Sequence, residues 1–94
     1  METKFFFLLL TPTIPALDTI ISKIFPITYN DNRDLGRQQN DYETRFRINS
    51  GSPTNYNSQW SPAYDDQTTV DNDRNSKILS LKNAGENIRT PDWP

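Results

Sequence analysis

The uneven distribution of apolar residues is the feature that most limits what this chain can fold into. Of the first 29 residues 16 are hydrophobic, whereas the remaining 65 contain only 15. Charge is distributed the other way, with 4 charged residues before Asn30 and 18 after it. A folded domain closes its core with apolar side chains drawn from its whole length. The sequence therefore predicts an apolar leader over residues 1–29 and a polar, Asn/Asp-rich tail over residues 30–94.

Composition limits what the tail can do on its own. Hydrophobic residues make up 33% of the chain, below the roughly 45–50% of typical soluble domains. The sequence contains no cysteine and no histidine, which excludes disulfides, thiolate chemistry and imidazole ligands for a metal. We therefore expect a largely irregular, partly disordered tail. The net charge of −2 does not favour a nucleic-acid partner, since such proteins usually carry a basic patch.

The leader contains the spacing of an amphipathic helix. Four apolar residues recur at i, i+3, i+4 and i+7, which is one helical face: Leu17, Ile20, Ile21 and Ile24. Pro15 suits the first helical turn, and Pro26 ends the element. The pattern predicts a three-turn helix over residues 15–25, whose apolar face needs a cover because so short a helix is marginal alone.

The run before this predicted helix is entirely apolar. Residues 5–10 (FFFLLL) fit either a buried strand or the start of a hydrophobic insertion. A secretory signal is disfavoured because the preceding charges cancel and Pro12 interrupts the run. A membrane span is disfavoured because Asp18 and Lys23 would lie within it. We expect the leader to dock on a protein partner or a membrane surface through seven residues: Phe5, Phe6, Phe7, Leu17, Ile20, Ile21 and Ile24.

The tail offers few signals of regular structure. Residues 30–40 contain a single apolar residue, which is typical of a loop. Residues 41–48 alternate charged with less polar side chains at a period of two, which predicts a strand. Residues 77–81 fit a second short strand or a single helical turn. The expected fold class is a small, mostly irregular and partly disordered α+β protein, with the helix over residues 15–25 and one or two short strands.

Three aromatic residues in the tail follow one another at a spacing of four: Tyr56, Trp60 and Tyr64. Pro62 and the surrounding asparagines and serines argue against a helix there. Aromatic side chains in a polar loop can form a stacking platform for carbohydrate or single-stranded nucleic acid. Nucleic acid is the weaker candidate, because no basic groove surrounds these residues. The alternative interpretation is that they pin a long loop to the core.

The acidic residues provide only fragments of chemical motifs. Asp71, Asp73 and Asn75 resemble the start of an EF-hand-type calcium loop. The residue that should close the coordination shell is Lys82, a cation that would repel the ion. The acid pair at residues 65–66 has no apolar pocket to separate its pKa values. We therefore expect neither an enzyme, nor a cofactor, nor a metal site.

The C-terminal segment GENIRTPD, residues 85–92, resembles a string found in translations of transfer-RNA genes read on the opposite strand. The resemblance covers eight residues. It implies a C-terminus that was not selected as protein sequence.

The sequence supports three hypotheses for function. The first is a non-enzymatic small interaction protein that docks on a protein partner or a membrane surface through its apolar N-terminal third. The second is a secreted or surface binding module that uses the tail aromatics. The third is a young or spurious open reading frame without a selected function. The sequence identifies neither the partner nor the oligomeric state, and it leaves both a membrane-associated and a secreted location open.

Overall fold

In the computed structural model, the N-terminal third of the chain forms a long β-hairpin. Its strands in chain order are β1 (Glu2–Phe6), β2 (Leu8–Pro12), β3 (Thr19–Ile21) and β4 (Phe25–Tyr29). β1 pairs with β4 and β2 pairs with β3, both antiparallel. Phe6 opposes Phe25 and Leu9 opposes Ile21. One extra residue therefore lies between these pairs on the second arm, which is a β-bulge.

The rest of the described residues adds two helices and two strands to this hairpin. The structure describes residues 1–51 and 54–93. The further elements are α1 (Asn32–Asn49), β5 (Tyr56–Trp60), α2 (Gln67–Asn83) and β6 (Ile88–Arg89). The strands form a four-stranded sheet in the order β5-β2-β3-β6 and a two-stranded sheet β1-β4. The backbones of Phe5 in β1 and Tyr64, which lies beyond the end of β5, form an isolated antiparallel bridge. Over the described residues, the chain is thus an α+β fold.

Both faces of the hairpin are covered, each by one helix. Leu8 and Leu10 of β2 lie in a buried cluster with Phe46 of α1, whereas Leu9 lies in a cluster with Val70 of α2. Successive side chains of a strand point to opposite faces of a sheet, so the helices lie on opposite sides. A strand buried on both faces is apolar throughout, as residues 5–10 are. Of the two alternatives for this run, the structure has the buried strand.

The prediction of an amphipathic helix over residues 15–25 is wrong. Residues 13–18 form the loop of the hairpin, and β3 and the start of β4 follow. Ile20 and Ile21 are adjacent and both fully buried, because they face opposite helices. β-branched residues favour strands. Their burial on both sides of the sheet produced a spacing that also fits one helical face.

The loop predicted over residues 30–40 and the strand predicted over residues 41–48 are both wrong, because α1 replaces them. The carboxylate of Asp31 caps this helix by accepting a hydrogen bond from the amide of Asp34 at 2.8 Å. Such a cap satisfies an amide that the helix itself leaves unpaired. The polar composition that favoured a loop is the composition of the helix's exposed face.

The alternation in residues 41–48 misled because two of its residues also fit a helix. Tyr42 and Phe46 are four residues apart, so they share one face of α1, and both pack in the core cluster on that side. Ile48 belongs to the same alternation but is 67% exposed. Its exposure shows that the period of two does not describe burial in this segment.

The expected strand over residues 77–81 is also wrong, since these residues belong to α2. Asp66 caps this helix, and its carboxylate accepts a hydrogen bond from the amide of Thr69 at 2.8 Å. Val70 is the one residue of α2 that is fully buried. The described part of the tail thus contains two helices and two strands, so the expectation of a partly disordered, mostly irregular protein is wrong.

The outer edge of β4 is protected against pairing with another strand. The amide of Phe5 points to Tyr64, so the backbone groups of Pro26, its register partner, point away from β1. Thr28 lies two residues further along β4, so its backbone groups point the same way. Pro26 has no amide hydrogen to donate. The carbonyl of Thr28 already accepts a hydrogen bond from the side chain of Gln38 at 2.9 Å. An edge blocked in this way resists the addition of a strand.

Candidate functional site

A cleft of about 550 Å³ opens between α1, β4 and the C-terminal segment. We call it the aromatic cleft, and it is lined by Phe25, Pro26, Ile27, Arg37, Gln38, Asp41, Tyr42, Arg45 and Trp93. Its volume lies within the range of small-molecule sites in proteins, roughly 300–1,000 Å³. The cleft combines an aromatic wall with a charged rim, and the two are built by different elements.

Three aromatic rings form the wall of the aromatic cleft. Phe25 begins β4, and its ring stacks on Tyr42 of α1 with 3.8 Å between centroids and 17° between planes. Trp93 reaches the same tyrosine from the C-terminal segment, at 5.0 Å and 48°. Trp93 also lies 5.9 Å from Phe46. Aromatic rings at such distances attract one another beyond their burial alone, so the wall is a continuous ring surface.

Charged side chains of α1 form the rim. Arg37, Asp41 and Arg45 follow at four-residue intervals, which places them along one edge of the helix. The Nε atom of Arg45 lies 3.3 Å from a carboxylate oxygen of Asp41. Arg37 pairs with Asp34 at 2.5 Å. The side chains of Arg37 and Arg45 are 79% and 67% exposed, so these pairs contribute little to stability.

The hydroxyl of Tyr42 is a polar atom of the wall that points into the protein. It is buried and has no hydrogen-bond partner among the described residues. Burial raises the pKa of Tyr42 to about 12, and the neighbouring Ser22 hydroxyl acts weakly in the opposite direction. The ring is therefore neutral at physiological pH, and it presents an apolar face to the cleft.

The seven apolar residues predicted to dock on a partner do not form one surface. Four are buried in the core: Phe6, Phe7, Ile20 and Ile21. Phe5 and Ile24 are half-buried, and Leu17 is 37% exposed in the hairpin loop. These residues divide between the two faces of the sheet, since the strands that carry them are covered on both sides.

The predicted stacking platform of tail aromatics is also divided. The hydroxyl of Tyr56 donates a hydrogen bond to the carbonyl of Asp18 at 2.8 Å, and its ring is buried. The indole of Trp60 donates to Glu43 at 3.2 Å on the α1 side. Tyr64 packs with the cluster on the α2 side. A spacing of four puts Tyr56 and Trp60 on one face of β5, but Tyr64 lies beyond the end of that strand.

The residues that line the aromatic cleft were not identified as a site from the sequence. The four-residue spacing of Arg37, Asp41 and Arg45 is visible there, but it gains meaning only when the segment is known to be helical. The sequence interpretation of this segment was a loop followed by a strand. Trp93 reaches the cleft through tertiary contacts, for which the chain carries no local signal.

The acidic motifs occupy structural positions. Residues 71–75 lie on α2, where side chains two residues apart point in different directions and do not converge on an ion. Asp66 is the cap of that helix, and Asp65 forms an ion pair with Lys4 of β1. Within the described residues, no group of three or more acidic residues is placed to hold a metal ion.

Known proteins give no guide to this cleft, because comparisons with protein-family models, with curated proteins and with solved structures found no match. Of the two helices in the described residues, neither is long and apolar enough to cross a membrane. The function is therefore argued from the cleft itself.

Proposed function

We propose that this chain is a non-enzymatic binding protein whose ligand is a small molecule with a planar ring, bound in the aromatic cleft. One observation carries the proposal: the rings of Phe25, Tyr42 and Trp93 line a single open cleft of about 550 Å³. A planar ligand ring bound there would stack on rings that already contact one another in the protein. Stacking on an aromatic side chain tolerates many ring systems, because each of them has a π-face.

The packing of the wall favours binding by a rigid site. The stacked rings of Phe25 and Tyr42 both contact Trp60, whose ring centroid lies 5.7 Å from that of Phe25 and 5.8 Å from that of Tyr42. Phe25 is buried, and Tyr42 is anchored on α1 beside the fully buried Phe46. Side chains held in this way lose little conformational entropy when a ligand binds, which favours affinity.

A small ligand fits this site better than an added peptide strand. The cleft borders the outer edge of β4, where a peptide would bind through backbone hydrogen bonds. At that edge Pro26 lacks a donor, and the Thr28 carbonyl is already bonded to Gln38. The groups that remain accessible are side chains, and they suit a compact aromatic molecule.

This proposal keeps one part of the sequence hypotheses and changes another. A non-enzymatic binding protein remains the proposal, as composition suggests. The contacts move from the apolar N-terminal residues, which lie mainly in the core, to the ring surface of the aromatic cleft. The idea of aromatic ligand contacts is retained with different residues. The third hypothesis, an unselected reading frame, stays a prediction that an overlapping gene on the opposite strand would support.

The test is a proton–nitrogen NMR titration of the full chain with 2-naphthylmethanol, a neutral planar probe. We expect saturable shifts at the amides of Phe25 and Tyr42 and at the indole of Trp93. The variant Trp93→Leu removes one of the three rings of the wall and should bind the probe about tenfold more weakly, because it loses one stacking contact. The matched control Tyr64→Leu changes an aromatic residue on the opposite face and should bind as the wild type does.

Shifts that are absent, or that are spread over both faces without saturation, would contradict the proposal. So would equal losses of binding in the two variants, because the cleft would then have no special role. Far-ultraviolet circular dichroism of each variant shows whether the fold is intact before the affinities are compared.

A further inference from the structure

We infer that the ligand of the aromatic cleft carries an acidic group, which Arg37 and Arg45 bind while the ring stacks on the wall. This inference rests on the proposed function, and it adds the chemical class of the ligand: a planar aromatic anion. The juxtaposition that carries it is one helix edge bearing two guanidinium groups beside one ring surface.

The position of the two arginines follows from the period of α1. Residues 37 and 45 are eight apart, slightly more than two helical turns, so both project along the same edge of the helix. Tyr42 projects from the same helix toward the sheet, and its ring forms part of the wall. One rigid element therefore sets the spacing between the ring surface and the two cations.

The charge of the cleft is opposite to that of the chain. The whole protein has 12 acidic and 10 basic residues, a net charge of −2. The aromatic cleft is lined by Arg37, Arg45 and Asp41, two cations and one anion, so its lining is positive by one. The Asp34 carboxylate, which pairs with Arg37 from outside this lining, balances that charge. An anion therefore gains the field of both guanidinium groups when they exchange their present partners for it.

Both arginines can exchange their present partners for a ligand. Asp34, the partner of Arg37, also accepts hydrogen bonds from the amide of Asn30 at 3.0 Å and from the side chain of Gln38 at 3.2 Å. These donors keep the Asp34 carboxylate satisfied when Arg37 turns away. Among the described residues, the side chain of Arg45 forms an exposed ion pair with Asp41, and such pairs are weak.

Arginine suits this task better than lysine for two reasons. Its planar guanidinium offers a fork of donors that matches a carboxylate or a phosphate monoester. Its flat face can also stack on a ring that lies in the cleft. The shared chemistry is an aromatic ring with one acidic group, and the two kinds of acid are separated by experiment.

The experiment compares the affinities of three probes for the full chain by the NMR titration described above. The probes share one ring system and differ in their substituent: 2-naphthoate, 2-naphthyl phosphate and neutral 2-naphthylmethanol. We expect at least one anion to bind about tenfold more tightly than the alcohol, as charge-assisted hydrogen bonds would provide. The tighter anion identifies the acid.

Three variants locate the effect. Arg45→Gln and Arg37→Gln should each lose most of the preference for the anion while keeping the affinity for 2-naphthylmethanol. Arg45→Lys, which keeps the charge without the fork, should retain part of the preference. The matched control Arg33→Gln removes the same charge from the same helix outside the aromatic cleft, and it should behave as the wild type does.

Equal binding of the three probes in the cleft would overturn the inference and leave the proposed function standing. An equal loss in Arg33→Gln and Arg45→Gln would also overturn it, since the preference would then reflect overall charge and not the rim. Failure of all three probes to bind in the cleft would refute both the proposed function and this inference.

Discussion

The two faces of the central hairpin carry layers of different kinds. On the α1 side, six aromatic rings contact one another at centroid distances of up to 6.5 Å: Phe6, Phe25, Tyr42, Phe46, Trp60 and Trp93. On the α2 side, the buried cluster is smaller and mainly aliphatic: Phe7, Leu9, Ile21 and Val70. Large flat rings pack with gaps at their margins, and the aromatic cleft lies at such a margin.

On the α2 side, polar contacts of one arginine also hold the helix against the sheet. Arg74 reaches over the sheet, where its Nε atom donates to the carbonyl of Ser22 at 2.9 Å and another nitrogen donates to the Thr90 hydroxyl at 3.3 Å. Partial burial lowers the pKa of Arg74 from its usual value, but an arginine stays charged at any physiological pH. The aromatic layer thus supplies packing energy and the aromatic cleft, whereas the aliphatic layer closes the opposite face of the hairpin.

The largest expected effect tests the difference in packing energy directly. Phe46→Ala empties the centre of the aromatic layer and should lower the free energy of unfolding by about 4 kcal/mol. Val70→Ala, at the equally buried position of α2, removes two methyl groups and should cost about 2 kcal/mol. Urea denaturation measures both. A cost for Val70→Ala as large as that for Phe46→Ala would reverse the comparison.

A smaller effect concerns the buried hydroxyl of Tyr42 in the aromatic layer. Tyr42→Phe keeps the ring and removes a polar atom that has no partner among the described residues, so it should stabilise the protein by about 1 kcal/mol. Urea denaturation at neutral pH checks this. A loss of stability would show that the hydroxyl makes a useful hydrogen bond after all, for example to Ser22.

The same variant should change how stability depends on alkaline pH. The unfolded chain releases the Tyr42 proton near the ordinary pKa of 10.0, and the folded chain releases it near about 12. Between these values the unfolded state gains more from deprotonation, so wild-type stability falls as pH rises. The difference in stability between Tyr42→Phe and wild type should therefore grow from pH 10 to pH 12. A constant difference would contradict the assignment.

The caps should matter more for the sparsely packed helix. Asp66→Ala should lower the melting temperature by a few degrees and reduce the helical signal, because Val70 is the one fully buried side chain of α2 and the cap is its other anchor. Asp31→Ala, the matched change in α1, should have a smaller effect, since aromatic packing holds that helix. Thermal unfolding followed by circular dichroism compares the two. Equal shifts would mean that the packing of the two layers supports their helices alike.

The cap of α2 also predicts an acid dependence. Hydrogen bonds from the amide and the hydroxyl of Thr69 lower the pKa of Asp66 from its usual 3.8. Because the pKa of Asp66 is lower in the folded state, the ionised cap stabilises the protein at pH values above the ordinary pKa. This contribution is lost as the pH falls through the pKa of the folded state. The gap in melting temperature between wild type and Asp66→Ala should therefore close below about pH 4.

The smallest expected effect concerns the exposed ion pair that accompanies Trp93. Lys23 lies 2.6 Å from Asp92, whose side chain is 98% exposed. Exposed pairs contribute little, so Asp92→Asn should leave the melting temperature unchanged within about a degree. Tryptophan fluorescence should also be unchanged, because ring contacts hold Trp93 in place. A red shift in the emission would show that the ion pair, and not the aromatic layer, holds the C-terminal segment.

Part of this fold could be predicted from the sequence. An all-apolar run such as residues 5–10 fits a strand covered on both faces, and this was one of the two alternatives. Asp31 and Asp66 are residue types that favour helix starts, yet the polar segments after them outweighed the signal. The helix over residues 15–25 failed because burial on two faces removes the alternation that identifies a strand.

The candidate site was harder to predict from the sequence than the fold. Tyr42 and Phe46 satisfy both a period of two and a spacing of four, so the pattern alone does not decide between strand and helix. Unless the segment is known to be a helix, the sequence does not place the side chains of Arg37 and Arg45 on the same side of it. Trp93 and Phe25 are distant in sequence and meet only through α1, so periodicity cannot pair them.

The central position of the first strands has a consequence for synthesis. Leu8 pairs with Trp60, which leaves the ribosome much later. At a synthesis rate of about 5–20 residues per second, the apolar strand β2 remains unpaired for several seconds before β5 has been synthesised. Distant pairing of this kind also slows folding. The nascent chain is thus most prone to self-association while these apolar residues are exposed. We expect molecular chaperones to bind this segment at that stage.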